Sequence, residues 1–110
     1  MDRKYIERNY GYDAPHGNFF LLPNNIFGER LSHAEFVVFA YLVMRKNLDN
    51  ECWPSRANIA EETNTKSVRT VDKCLKELED RCLIEKINNY DHSKHLQLSN
   101  RYIINKFDLE

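Results

Sequence analysis

The chain of 110 residues is 42% hydrophobic and 30% charged, which fits one compact domain with a single core. Sixteen Lys and Arg against seventeen Asp and Glu give a net charge of −1, which argues against an unspecific polyanion binder covered in positive charge. The longest apolar run, residues 36–44, is far shorter than the roughly 20 residues of a membrane span, and no apolar signal segment follows Met1, so we expect a cytoplasmic protein.

The first part of the chain is predicted to be an arm followed by a strand and a turn. Residues 1–17 mix charged residues, Tyr, Gly and Pro without a period, which is typical of an arm. The aromatic-rich run 18–22 precedes Pro23 and predicts a short N-terminal strand. Residues 23–30 favour a turn or a single helical turn. We expect one domain over residues 18–107 and a tail at 108–110.

Helix one is predicted to begin at a capping box. The Ser32 hydroxyl can accept a hydrogen bond from the Glu35 amide, and the Glu35 carboxylate can accept one from the Ser32 amide. The helix should extend to about Lys46, with apolar residues on nearly all of its faces. It is therefore either the central helix of a small domain or part of a homodimer seam. The candidate dimer residues are Val38, Phe39, Tyr41 and Leu42.

Helix two is predicted over about Arg56 to Thr63. Pro54 disfavours helix before it, and Ser55 is a typical N-cap residue. Ile59 and Ala60 should face inward. The small side chain of Ala60 either lets a second helix approach closely or simply favours helix formation.

Helix three is predicted to begin at the N-cap Ser67 and to extend to about Arg81. Asn64 tolerates the left-handed conformation needed to leave helix two without glycine. One apolar stripe at helical spacing should pack on the core, namely Val68, Val71, Leu75 and Leu78. Between residues 64 and 76, Asp72 is the single acidic residue, and four cationic residues lie off that stripe, namely Lys66, Arg69, Lys73 and Lys76. They indicate either contact with an anion or a solvated helix face that happens to be basic.

Two strands at residues 83–88 and 100–105 predict a β-hairpin joined by the polar stretch 89–99. Leu96 and Leu98 are candidates to extend its second strand. The cysteines Cys52, Cys74 and Cys82 form no C-x-x-C pair and are predicted to be reduced packing residues. The alternative is a zinc site that combines them with His92 and His95. Because both histidines fall in a polar loop, we expect no metal, and we expect no cofactor.

Several residues in this order carry a resemblance to a known family: Trp53, Pro54, Ser55, Ile59, Ala60, Ser67, Arg69, Thr70, Val71, Leu75, Leu78, Leu83, Ile84, Glu85 and Lys86. Together with the predicted elements, they resemble the winged helix-turn-helix domains of replication initiators and regulators of bacterial phages, plasmids and integrative elements. The resemblance covers about residues 18–106. It implies a mainly α fold with a small β-sheet, in which a three-helix core carries a hairpin wing and a short N-terminal strand.

The resemblance implies a module that binds double-stranded DNA in replication initiation or transcription regulation, with helix three as the recognition helix. Ser67, Arg69, Thr70 and Lys73 match the start of that helix, and Ser55 and Arg56 match the start of the supporting helix. We add Lys66 and Lys76 as cations directed to phosphate, and Lys94 at the wing tip.

Two departures from the family pattern concern the ends of the helices. Thr63 and Thr65 stand where apolar residues usually anchor the turn, and Cys82 occupies the place of a helix-ending glycine. A non-glycine residue held left-handed there costs roughly 1 kcal/mol. We therefore expect helix three to end in a different way.

The sequence also bears on two other classes of function, a protein-interaction module and an enzyme. A protein-interaction module that docks a partner through helix one or the arm is favoured by the near-neutral charge and by Asp72. An enzyme is not expected, because the sequence lacks G-x-x-x-x-G-K, H-E-x-x-H and G-x-S-x-G motifs.

Overall fold

The computed structural model describes residues 19–105. A 3₁₀ helix at Asn24–Glu29 precedes three α-helices, α1 at His33–Arg45, α2 at Arg56–Glu62 and α3 at Val68–Asp80. The strands are β1 at Glu51–Cys52, β2 at Ile84–Asp91 and β3 at Leu96–Ile104. The architecture is the predicted winged helix-turn-helix. The predicted arm at 1–17 and the tail at 108–110 lie outside the described residues.

The strands form an antiparallel sheet in the order β1-β3-β2. The predicted N-terminal strand is wrong for residues 19–22, which form no strand. The strand that joins the hairpin in this sheet is β1, which lies between α1 and α2 in the chain. It is positioned by a turn in which the Asn47 side chain accepts hydrogen bonds from the amides of Asp49 and Glu51, while Asn50 is left-handed. β2 pairs along one edge of β3, and β1 pairs with the other edge only at Tyr102 and Ile103.

The beginnings of the helices follow the predicted caps. The Ser32 amide donates to Glu35 Oε1 at 2.9 Å, and the Glu35 amide donates to Ser32 Oγ at 3.2 Å, which completes the capping box. Ser55 and Ser67 cap α2 and α3 with their hydroxyls. These local hydrogen bonds satisfy amides that have no partner inside the helix.

The structure shows how α2 and α3 end at the residues that depart from the resembled pattern. Cys82 itself takes the left-handed conformation, with φ of 63°, so the prediction that α3 would end in a different way was wrong. Thr63 donates its hydroxyl to the carbonyl of Ile59 at 2.5 Å, and its Oγ1 lies 2.6 Å from Thr65 Oγ1. These hydrogen bonds link the end of α2 to the turn that follows it.

Helix α1 is the central helix of the core, packed on α3 and β3. The four residues expected at a dimer seam are buried inside the domain, and none is more than 7% exposed: Val38, Phe39, Tyr41 and Leu42. The seam through these residues was therefore a wrong prediction, because their surface is already used for packing. Cys52 and Cys74 are buried as predicted, whereas Cys82 is exposed.

The hairpin is longer than predicted, because both strands continue into the stretch assigned to its loop. Leu96 and Leu98 do extend β3, and only residues 92–95 separate the strands. The register shifts between Ile87 and Asn89, which marks a bulge. Within residues 19–105, no helix is long and apolar enough to cross a membrane.

Candidate nucleic-acid interface

Helix α3 separates its apolar and basic residues onto opposite faces. Val71, Cys74, Leu75 and Leu78 are buried, whereas Arg69, Lys73 and Lys76, at positions i, i+4 and i+7, are exposed. This spacing places the three cations on one side of the helix. The packed face fixes the helix in the domain, and the face formed by Arg69, Lys73 and Lys76, here named the basic face, is left accessible.

The basic face is largely free of internal ion pairs. Among residues 19–105, Lys66, Arg69 and Lys73 make none, and Lys76 Nζ lies 3.8 Å from Asp80 Oδ2. The Lys76 and Asp80 side chains are 77% and 59% exposed, and an ion pair so exposed contributes roughly 0–1 kcal/mol. These cations are therefore available to an external anion.

The first turn of α3 adds a favourable environment for negative charge. It contains no acidic residue, and the helix dipole gives this end a partial positive charge. Ser67 Oγ accepts a hydrogen bond from the Thr70 amide and lies 3.2 Å from Thr70 Oγ1. Because the two hydroxyls face each other, the predicted polar contacts Ser67 and Thr70 form one unit beside Lys66 and Arg69.

Ser55 and Arg56 lie at the start of α2, as predicted, but both side chains have partners inside the domain. Arg56 begins α2 but directs its guanidinium to α3, where Nη1 lies 2.7 Å from Asp72 Oδ2. Ser55 Oγ accepts a hydrogen bond from the Asn58 amide at 3.1 Å. In the free protein the Arg56 charge is thus paired, and the hydroxyl of Ser55 serves its own helix.

A polar cleft lies between the start of α2, the start of α3 and the wing. It measures about 530 Å³ and contains Ser55, Arg56 and Val68 on the helical side. The wing side supplies Asn88, Gln97, Leu98, Ser99 and Asn100. These wing residues were not among the predicted contacts, since most of them fall in or beside the segment assigned to a loop. The sequence signal that could have identified them is the run of Asn, Gln and Ser next to the predicted strands.

Gln97 holds the wing in shape where the register shifts. Its Nε2 donates to the carbonyl of Asn89 at 2.9 Å, to that of Leu98 at 3.0 Å and to Asn100 Oδ1 at 3.3 Å. Bulges bend a strand and increase its twist. The bulge and its side-chain hydrogen bonds therefore set the direction in which the wing tip projects.

Lys94 lies on the exposed turn between β2 and β3, at the wing tip. Asp91 Oδ1 organises this turn by accepting hydrogen bonds from the Ser93 amide at 3.0 Å, the Ser93 hydroxyl at 2.7 Å and the Lys94 amide at 3.3 Å. The Ser93 hydroxyl bond in particular lowers the pKa of Asp91. The ionised carboxylate thus stabilises the loop that presents Lys94.

The alternative zinc site is not assembled in the structure. Within residues 19–105, no group of three His, Cys, Asp or Glu side chains is placed to hold a metal ion. His92 and His95 flank the wing turn, and the buried cysteines lie in the core. Burial raises the pKa of the Cys52 thiol to about 11, which keeps the thiol protonated at neutral pH.

A protein-family model described as "Helix-turn-helix domain" matches residues 29–84, slightly more than half of the chain. The matched segment contains α1, β1, α2 and α3 and ends at the first residue of β2. No curated protein and no solved structure matches. The match therefore includes both helices of the motif and every residue of the basic face.

Proposed function

The chain belongs to the helix-turn-helix domain family, and on this premise we propose that it binds double-stranded DNA sequence-selectively through α3. The observation that carries the proposal is the basic face, in which Arg69 and Lys73 are exposed without an ion pair among the described residues, on a helix anchored by its opposite face. An exposed helix of this kind fits the major groove.

The side chains divide into two roles by their chemistry. Arg69 is the candidate for bidentate donation to guanine O6 and N7, and the hydroxyls of Ser67 and Thr70 make shorter contacts to base edges or phosphates. Lys66, Lys73 and Lys76 are phosphate-directed. Lys94 contacts the backbone from the wing, while Ser55 and Arg56 border the cleft between the wing and the helices.

We place this binding activity in replication initiation or transcription regulation of a mobile element. The support is the sequence resemblance of residues 18–106 to initiators and regulators of phages, plasmids and integrative elements. A domain with net charge −1 must rely on local charge rather than on a general attraction to polyanions. That requirement suits a regulator of particular sites.

The test is selection of bound fragments from a random duplex pool, followed by titration of the selected site. Arg69→Ala should weaken binding by about 1–3 kcal/mol at fixed salt. Lys46→Ala is the control, because Lys46 is also cationic and exposed but lies at the end of α1. This variant should bind the duplex as tightly as the native chain does. Failure to enrich any duplex would overturn the proposal, and unchanged binding by Arg69→Ala would remove Arg69 from the interface.

A second candidate function, docking of a protein partner, is favoured by an apolar surface on the 3₁₀ helix and α1. Phe27 is 73% exposed, and Val37 and Met44, seven residues apart on α1, are 42% and 45% exposed. A cleft of about 410 Å³ between Phe27, Phe36 and Val37 adds concave apolar area. Exposed apolar patches of this kind mark interaction surfaces. This surface, here named the α1 patch, replaces the buried seam as the candidate interface for a homodimer.

Salt and a charged substitution distinguish the two candidates. A complex on the α1 patch should survive salt that dissociates a phosphate-bound complex. Val37→Asp should abolish self-association measured by sedimentation, while Leu48→Asp, on an exposed loop, should leave it unchanged. A native chain that remains monomeric at every concentration tested would contradict homodimerisation through this patch.

A further inference from the structure

We propose that Asp72 is a built-in competitor for DNA phosphate that lowers the affinity of the domain by holding Arg56. This inference rests on the proposed function, because it concerns the same interface. The Asp72 carboxylate occupies the place on the Arg56 guanidinium that a phosphate oxygen takes in a DNA complex. Both are anionic oxygens that accept charge-assisted hydrogen bonds from a guanidinium.

The position of the pair supports competition. Arg56 borders two clefts, one shared with the wing and one shared with Lys76 and Lys86. Asp72 lies on α3 one residue before Lys73 and one turn before Lys76, at the margin of the basic face. A DNA strand drawn to the basic face therefore comes within the reach of the Arg56 side chain.

The exposure of the pair makes it exchangeable. The Arg56 and Asp72 side chains are 52% and 43% exposed, so solvent and ions screen their attraction. A phosphate held by neighbouring lysines is a stronger partner for Arg56 than the Asp72 carboxylate is, because its attraction to Arg56 adds to the contacts that the lysines already make with it. The contact between Arg56 and Asp72 is accordingly one that a bound strand can replace.

The structure also provides a new partner for the released carboxylate. Lys76 is four residues after Asp72, a spacing at which opposite charges on a helix meet. Its present partner, Asp80, is 3.8 Å away, a longer contact than the 2.7 Å between Arg56 and Asp72. On binding, Arg56 turns to phosphate. The Asp72 carboxylate then shares the Lys76 ammonium with phosphate, since an ammonium has three N–H donors.

The proposal predicts the sign of a substitution. Asp72→Asn should bind duplex DNA about two- to fivefold more tightly, since the competing ion pair is of the weak, exposed kind. The slope of log affinity against log salt should keep its native value, because Arg56 contacts phosphate in both complexes and only the competing ion pair is removed. A pair that served only to brace α2 against α3 would give the opposite result, because its loss would disturb the interface and weaken binding.

The experiment is a double-mutant cycle on the full chain, titrated with the selected duplex by fluorescence anisotropy. Removal of any negative charge near the interface strengthens binding somewhat, so Glu61→Gln serves as the charge-matched control, because Glu61 is exposed on α2 and makes no ion pair among the described residues. In the Arg56→Gln background the gain from Asp72→Asn should fall to that of Glu61→Gln, because the cation that it releases is absent. Thermal unfolding of each variant checks folding, and Asp72→Ser repeats the measurement with a smaller side chain.

The outcomes separate this inference from the proposed function. A gain for Asp72→Asn that exceeds the Glu61→Gln gain and requires Arg56 supports competition. Weaker or unchanged binding, or a gain that is undiminished without Arg56, overturns it while duplex binding by the native chain still stands. If the native chain binds no duplex at low salt, both proposals fall.

Discussion

Asn64 and Cys82 end the two helices of the motif in the same way. Their φ angles are 55° and 63°, and each begins a pair of hydrogen bonds back into its helix. The Asn64 amide donates to the carbonyl of Glu61, and the Cys82 amide donates to that of Glu79. The following residues complete the pattern, with Thr65 to Ala60 at 2.9 Å and Leu83 to Leu78 at 3.0 Å. This Schellman arrangement directs the chain from α2 into α3 and from α3 into the wing.

The strain at Cys82 predicts that Cys82→Gly stabilises the domain. A side chain in the left-handed region costs roughly 1–2 kcal/mol, which glycine avoids. Glycine also loses more backbone entropy on folding, so we expect a net gain of about 0.5–1 kcal/mol in the free energy of unfolding. Urea denaturation measures the change.

Cys82→Ala is the matched control, since alanine removes the thiol but retains a Cβ in the left-handed conformation. Its free energy of unfolding should stay within about 0.5 kcal/mol of the native value. If Cys82→Gly and Cys82→Ala had equal stability, the strain assigned to the backbone at this position would be absent.

Because Leu42 is buried, its truncation should lower the stability of the domain rather than its self-association. Leu42 is 0% exposed in the core, so Leu42→Ala should lower the free energy of unfolding by about 2–5 kcal/mol. Met44→Ala, two residues later on the exposed side of α1, should change it by about 0.5 kcal/mol or less. Chemical denaturation compares the two variants. A Leu42→Ala chain with native stability would show that this side chain is not a core residue.

The sequence predicted those features that local hydrogen bonds decide. The caps at Ser32, Ser55 and Ser67 each link residues three apart, so a short sequence window contains both partners. The apolar stripe on α3 could also be predicted from the sequence, because its polar and apolar residues have helical spacing. The basic face could therefore be selected before its position in the fold was known.

The features that the sequence missed depend on residues distant in the chain. Arg56 and Asp72 are 16 residues apart, and nothing in either local segment indicates that they pair. The strand β1 has only two residues and exists through its pairing with β3. Helix α1 has apolar residues on nearly every face, so its pattern could not tell which face the domain covers. Tertiary packing decided each of these cases.

The turn at the wing tip predicts a pH dependence that involves Asp91. Hydrogen bonds from Ser93 and Lys94 lower the pKa of the Asp91 carboxyl below its usual value of 3.8. A lowered pKa in the folded state means that the ionised form stabilises the turn above the usual value, and that this stabilisation is lost as the pH falls through the lowered value. The Asp91 carboxyl signal in an NMR titration should therefore have its midpoint below 3.8.

A substitution separates the hydrogen bonds of Asp91 from its charge. Asp91→Asn retains an acceptor oxygen, whereas Asp91→Ala removes it, so the Ser93 and Lys94 amides should exchange with solvent faster in Asp91→Ala than in Asp91→Asn. An Asp91 midpoint at or above 3.8, or equal exchange in the two variants, would show that the turn does not depend on this carboxylate.

The basic face predicts the salt dependence of DNA binding. Each phosphate neutralised by a cation contributes about 0.9 to the slope of log affinity against log salt. With roughly four or five phosphate contacts, the native chain should give a slope near about −4. Lys73→Ala removes one exposed cation without an internal ion pair among the described residues, so its slope should be shallower by about 0.9. Lys46→Ala should keep the native slope, because Lys46 lies at the end of α1. Equal slopes for Lys73→Ala and Lys46→Ala would mean that the Lys73 ammonium meets no phosphate, and the strand would then have to lie elsewhere on α3.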